Sequence, residues 1–391
     1  MTESDRPKNP LPEPLRGTDS GSFAEYTVTV RLLNILKEVI AVNDFPPQVM
    51  ASLRALQEEI PTARVRPLQD PGAPDLEDWS RYVRSVAGST WLQVPWFFAE
   101  TYFYRRILEA TGYFQPGPTQ GRDPYIIQKR RVLQQGLAAG QALIAPLEEQ
   151  LDRAQAGPAQ KGEELRRLVL LNLWGNQADL SMWSVEDEGR PEHTELEQQA
   201  AHLLVDDSQA AVDWLSAFEG QLRVDFIMDN AGPELLHDMA LADFLLTTKA
   251  AESVYFHLKS HPTFVSDAMI KDVEETIEHL SSQPEPSAQG LARRLKGHLA
   301  EGRLHMKEDF FWNSPLLGWE MPARIRQDLS RSNLLVSKGD ANYRRLLGDR
   351  HWPPATALSE VVRYLPAPVL VLRVAKAEIA VGLQPGQADE L

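Results

Sequence analysis

Leu222-Arg223-Val224-Asp225-Phe226-Ile227-Met228 is a short apolar run that stops abruptly at Asp229-Asn230-Ala231-Gly232. Pro233 to Thr247 then returns to helical spacing, with Leu236, Met239, Ala240 and Leu246 on one side. A run of that length bounded by turn residues reads as a buried strand, and the stretch after it as a helix that recrosses a sheet. Downstream, Ser253–Leu258, Thr263–Ser266 (TFVS), Ser332–Ser337 (SNLLVS) and Val369–Leu372 are further strand candidates, and Ser281–Gln289 is a Pro/Ser loop. Strands alternating with helices predict an α/β fold with a mainly parallel sheet covered on both faces.

Upstream of that run, helical patterns dominate. From Ala24 to Val42, residues Val28, Leu32, Ile35, Leu36, Val39 and Ile40 fall at helical spacing. Pro95 can open another helix, since its missing N–H costs nothing in a first turn; this one presents Trp96, Phe103 and Ile107 on one face and runs to Gly112. Gln115–Pro124 is a loop, and further helices are expected over 125–153, 163–175 and 195–218, broken by Gly157-Pro158 and by the acidic stretch Glu186–Arg190. Residues 1–16, with Pro7, Pro10, Pro12 and Pro14, read as an extended tail. The expected organisation is a tail over 1–16, a helical N-terminal domain over 17–218 and an α/β domain over 219–391.

Composition narrows the function. Forty Lys plus Arg against fifty-five Asp plus Glu leaves a net charge of −15 over 391 residues. Nucleic acid and anionic membrane surfaces both select for excess Lys and Arg, so neither is an expected partner. The absence of cysteine excludes disulfides, thiolate metal sites and cysteine nucleophiles. No apolar stretch reads as a signal peptide or a membrane helix. A soluble, cytoplasmic protein is expected.

In an open parallel sheet, ligands bind beyond the carboxyl ends of the strands. The residues just past the candidate strands are Asp229 and Asn230, then Asp267, then Lys338 with Asp340, then Lys376. Two Asp and an Asn oxygen form a hard-oxygen set suited to Mg²⁺ or Mn²⁺. Lys338 and Lys376 would then hold an anion bridging to that metal, the arrangement phosphoryl transfer calls for. Any one of these residues alone is ordinarily a turn former or a helix cap; their recurrence at successive strand ends carries the reading. His257 and His261 stand four apart, but no Glu follows the first and no third ligand is evident, so they read as structural. The aromatic run from Trp91 through Tyr104, followed by Arg105-Arg106, reads as the core side of a helix. GxxxxGK[ST], GxGxxG and GxSxG are all absent.

Asp229-Asn230-Ala231-Gly232-Pro233-Glu234, Phe264-Val265-Ser266-Asp267 and Lys338-Gly339-Asp340-Ala341-Asn342-Tyr343-Arg344 together resemble the metal-dependent damage-control phosphatase family. The resemblance is to subfamily III, the hexose-phosphate branch, some of whose members were also described as protein-glutamate O-methyltransferases. Gly17–Phe23, Pro95-Trp96 with Glu100, and Trp174-Gly175-Asn176 with Asp179 extend it across nearly the whole chain. It implies a helical N-terminal domain beside a Rossmann-like three-layer α/β/α domain. It implies metal ligands at Asp229, Asn230 and Asp267, and substrate contacts at Glu234, at the loop of Asp340, Asn342, Tyr343 and Arg344, and at Lys376, with Asn176 and Asp179 facing the same cleft. One departure stands out: the branch's Arg-Thr-x-Lys motif reads Arg373-Val374-Ala375-Lys376 here. On an extended segment residues 374 and 376 point the same way, so the missing hydroxyl would weaken phosphate binding modestly.

The resulting reading is a phosphatase for small sugar phosphates, such as fructose 1-phosphate or fructose 6-phosphate. It would use one divalent cation, Mn²⁺, Mg²⁺, Co²⁺ or Ni²⁺, with Asp229, Asp340 and Lys376 as catalytic groups. Either a water or an Asp carboxylate would attack in line. An S-adenosylmethionine-dependent carboxyl methyltransferase is the runner-up, and a sugar-phosphate sensor without turnover a third reading.

Overall fold

The computed structural model of the chain describes residues 7, 10–175, 203–218 and 220–390. Five parallel strands form one sheet in the order β3-β2-β1-β4-β5. They are β1 (Arg223–Ile227), β2 (Ser253–Leu258), β3 (Leu304–Glu308), β4 (Leu334–Lys338) and β5 (Val369–Leu372). Val224 of β1 lies opposite Val254 on one side and Leu334 on the other. Every residue of β1 and β4 is buried, as central strands covered on both faces must be. The chain moves from β1 outward through β2 and β3, then returns to place β4 on the other side of β1. That reversal opens a crevice at the carboxyl ends of β1 and β4.

One expected strand is not a strand. Thr263–Ser266 form a tight turn in which Phe264 and Val265 have φ of 48° and 67°. Left-handed backbone is unfavourable for a β-branched residue, and its persistence means that the surroundings hold it. Phe264 packs its ring 4.9 Å from that of Tyr104, and Val265 is buried in the same cluster. The apolar character of TFVS therefore serves packing against the helical half, not a sheet. The third strand is instead Leu304–Glu308, in which only Leu304 is fully buried. An edge strand of that composition (LHMKE) carries no apolar run.

The N-terminal helix begins as Phe23–Tyr26, widens into a π-helical turn over Thr27–Arg31 and continues as Leu32–Val42. The aromatic helix spans Trp96–Thr111 and ends where Gly112 adopts φ 68°. Its aromatic face is core as expected, and Arg105 and Arg106 are buried with it, paired with Asp70 and Asp75 and with Glu59 and Glu109. The stretch expected as one helix over 125–153 is two, Ile126–Ile144 and Leu147–Ala154, because Pro146 interrupts the hydrogen-bond ladder. The next helix starts early, at Pro158, and of the helix expected over 195–218 the described part is Ser208–Ser216, with 203–207 non-helical and 195–202 outside the described residues. The loop expected over 281–289 shrinks to three residues, since Pro286 opens the Pro286–Ala300 helix directly after Ile270–Ser282.

Two large cores result. Leu147, Leu168 and Val212 pack with Leu236, Met239, Val224 and Phe256, so one core draws on residues from both sides of position 218. The other joins Leu32, Leu36, Trp96 and Phe103 to Phe264, Tyr343, Trp352 and Ile379. Leu15 belongs to this second core, and its carbonyl accepts from the Trp96 N–H at 2.8 Å. No described helix is long and apolar enough to cross a membrane.

Candidate active site

The chain leaving β1 and the turn after Thr263 are zipped together. Ala231 N–H donates to the Ser266 carbonyl and Ala268 N–H to that of Asp229, both at 2.7 Å, with Asn230 and Asp267 as an antiparallel bridge between them. This pairing brings Asp229, Asn230 and Asp267 into one cleft with Asp340, Arg344 and Lys376. The Asn230 Nδ2 donates to Asp229 Oδ2 at 2.9 Å and to Glu234 Oε2 at 2.8 Å. Those two bonds fix the amide, leaving Oδ1 on the other side, where it accepts from Ser266 Oγ at 2.5 Å. Glu234, at 2% exposure, thus orients Asn230. Gly339 closes the site from β4: with φ at +75°, a Cβ there would collide with the Asp229 carboxylate. Among the described residues no group of three His, Cys, Asp or Glu is gathered for a metal, so a cation here would be shared by two carboxylates and the Asn230 side chain, whose amide would have to turn its oxygen toward Asp229 and Asp267. That oxygen-only set and the cradle behind Asp229 fit a hard divalent cation.

The remaining expected residues divide into those that line the cleft and those behind it. Asp340 lines it; burial pushes its carboxyl up, but Arg373 at 2.7 Å, Arg344 and Lys376 outweigh that and hold it below the usual carboxylate range. Arg344 lines it as well, its guanidinium 3.4 Å from the centre of the Trp96 ring and paired with Asp349 at 2.7 Å and with Glu100. Lys338 is placed behind: fully buried, it donates to the Asn172 carbonyl at 3.0 Å and lies 3.1 Å from Asp238 and 3.4 Å from Glu234. Burial, aided by the neighbouring Glu234 charge and opposed by Lys338, pushes Asp238 up to about 6. Asn342 donates to the carbonyls of Met228 and Lys338, both at 2.9 Å, and so ties the ends of β1 and β4. The Tyr343 hydroxyl accepts from Val381 N–H at 3.0 Å. Asn176 and Asp179 lie outside the described residues. His257 pairs with Asp225 at 2.7 Å, and burial pushes His261 down to about 4 despite nearby Asp75.

Two cations went unanticipated behind Asp267. Lys259 Nζ lies 3.3 Å from its Oδ2, and burial lowers the ammonium against the pull of Asp267. Lys129 donates to the Asp267 carbonyl and to Asp272, each at 2.8 Å. Lys259 carries a signal in the sequence, since it is the first residue after β2. Lys129 carries none, since a helix from the N-terminal half delivers it.

Val374 does not share a side with Lys376. After β5 the chain curls around the Arg373 guanidinium, which donates to Asp340, to the Ala377 carbonyl at 3.0 Å and to that of Ile379. Val374 consequently lines a separate apolar groove with Leu370 and Leu383, while Lys376 lines the cleft. Val374→Thr is therefore expected to leave KM for phosphate esters within about twofold, because a lone added hydroxyl there meets no phosphate and only loses some packing. Steady-state kinetics on the purified variant check this, and a several-fold fall in KM would return the residue to the cleft.

Residues 27–391 match the family described as the Damage-control phosphatase ARMT1-like domain. Among characterised proteins, Damage-control phosphatase ARMT1 of Danio rerio is 32% identical over 97% of this chain and 93% of its own length. The Xenopus laevis protein of the same name is 33% identical, over 96% and 94%. A solved structure titled as a DUF89 family protein from Pyrococcus horikoshii aligns over 87% of this chain and 94% of its own, at 14% identity and a TM-score of 0.41.

Proposed function

The chain belongs to the ARMT1-like damage-control phosphatase family, and from that premise we propose that it hydrolyses small sugar phosphates with one divalent cation held by Asp229, Asn230 and Asp267. The observation that carries this reading is the cleft itself, where Asp229, Asn230 and Asp267 line one space with Lys376 and Arg344. When bound, the cation supplies polarisation of the phosphoryl oxygens and orientation of the attacking group. Lys376 and Arg344 neutralise charge on the phosphate, which counts most as that charge shifts in the transition state. Asp340, kept ionised by its arginine neighbours, accepts a hydroxyl of the sugar or a proton. Glu234 contributes by fixing Asn230. Fructose 1-phosphate and fructose 6-phosphate are the proposed substrates. The methyltransferase reading is not favoured: the relatives are named as phosphatases, and the turn after β1 carries Asp229-Asn230 rather than a glycine-rich loop.

The test is phosphate release from a panel of sugar phosphates before and after chelation. Release is expected to fall to background in excess chelator and to return with Mn²⁺, Mg²⁺, Co²⁺ or Ni²⁺. Turnover indifferent to chelator would remove the cation from the reaction, and a panel with no substrate would remove the sugar-phosphate class.

A further inference from the structure

The cleft holds a cation that neither motif nor strand end pointed to. Arg31, the last residue of the π-helical turn Thr27–Arg31, lines it together with Phe23, Asp340 and Lys376. Such turns are rare and concentrate at functional sites, where they re-aim a side chain that a regular helix would send elsewhere. The aim here is set by Glu100, a fully buried carboxylate on the Trp96–Thr111 helix. One of its oxygens takes Arg31 Nη1 at 2.9 Å and the other takes Arg344. Glu100 thus sets two guanidiniums side by side, with Arg31 the more open of the pair at 13% side-chain exposure against 4%. The start of the same N-terminal helix is tied to the far wall, where Phe23 N–H donates to Glu378 at 2.9 Å, two residues beyond Lys376. Arg31 and Lys376 therefore ride on linked elements and face one space of about 40 Å³, room for a few waters or a phosphoryl group.

We propose that Arg31 is a substrate-binding residue, contacting the phosphoryl group of the ester and the phosphate product alongside Lys376. A guanidinium has five donors in a fixed fork, enough to keep Glu100 and grip phosphate oxygens together. This role rests on the phosphatase assignment alone and not on the sugar or the cation.

The experiment compares the full-length chain with Arg31→Gln and Arg31→Lys. It measures hydrolysis of p-nitrophenyl phosphate, inhibition by inorganic phosphate, calorimetric binding of inorganic phosphate and of Mn²⁺, and melting temperature. Arg31→Gln is expected to raise KM and the phosphate inhibition constant by about tenfold or more, the weight of a charge-assisted contact. Affinity for Mn²⁺ should stay at the wild-type value. Arg31→Lys, which keeps the charge toward Glu100 but loses the fork, should recover part of the loss and serves where Arg31→Gln fails to fold. Unchanged phosphate affinity in the folded variants, even with a lowered melting temperature, overturns the proposal and leaves Arg31 as a prop for Glu100. A parallel fall in Mn²⁺ affinity also overturns it. If no sugar phosphate is hydrolysed yet inorganic phosphate binds in an Arg31-dependent way, the substrate reading fails and this one stands; if the wild-type chain binds no phosphate, this one falls.

Discussion

Asp267→Asn and Asp229→Asn are each expected to lower phosphate release by about a thousandfold or more, because a divalent cation supplies several kcal/mol of transition-state charge stabilisation. Both side chains are buried, at 1% and 4% exposure, and the pairing of their backbones brings them together. Asparagine keeps the volume and the local hydrogen bonding, so loss of activity reports on charge and not on collapse. The two variants differ in what they leave behind. Asp267→Asn strands the buried Lys259 ammonium, 3.3 Å away, with the Asn342 oxygen at 3.5 Å and the more distant Asp229 charge. Removing one member of a buried pair is costly, so Asp267→Asn should melt lower than Asp229→Asn. Turnover at saturating and at limiting metal, calorimetric metal titration and thermal melting together check the assignment. A folded Asp267→Asn chain with wild-type turnover at limiting metal would take the cation away from these residues.

The parts of the fold legible in the sequence were those that bury a continuous run. β1, β2, β4 and β5 announced themselves because apolar residues stop at Asp, Lys or Arg, where the sheet ends and the ligand side begins. Leu304–Glu308 was hidden because an edge strand needs few apolar residues. TFVS misled because Phe264 and Val265 are buried for another purpose, in left-handed backbone against the aromatic helix. The same logic divides the site. Asp229, Asn230, Asp340 and Lys376 follow strands, so the strand-end rule reaches them, whereas Asp267 follows TFVS, a turn that only resembles a strand. Arg31 and Glu100 arrive from the helical half by tertiary packing, and no local pattern distinguishes them from other helical charges. Lys338 illustrates the converse: a strand-end position places a residue near the ligand without saying which way it faces. Its ammonium turns inward to Asn172, Asp238 and Glu234, and of these acids Glu234 is the one bonded to Asn230.

Gly339→Ala is expected to cost activity by about a hundredfold or more, since misplacing a reacting group by an ångström carries a penalty of that order. Two separate effects act at this position. The first is conformational: φ of +75° is left-handed, and an alanine held there loses roughly 1–2 kcal/mol. The second is contact: the new Cβ would overlap Oδ2 and Cγ of Asp229 and fall 2.9 Å from its Cβ, all inside van der Waals range. Asp229 must then swing away, and its bond from Asn230 and its approach to Asp267 go with it. Gly302 separates the two effects, because it has φ of +66° and nothing within 4 Å of where an added methyl would sit. Gly302→Ala should lower the melting temperature by the conformational share alone and leave kcat and metal affinity intact. Gly339→Ala should lose metal affinity and kcat together, in a chain that still melts cooperatively. If Gly339→Ala instead matches Gly302→Ala, with a modest loss of stability and normal metal binding, then the end of β4 is free to yield. The carboxylate of Asp229 would then not be held where a cation shared with Asp267 requires it.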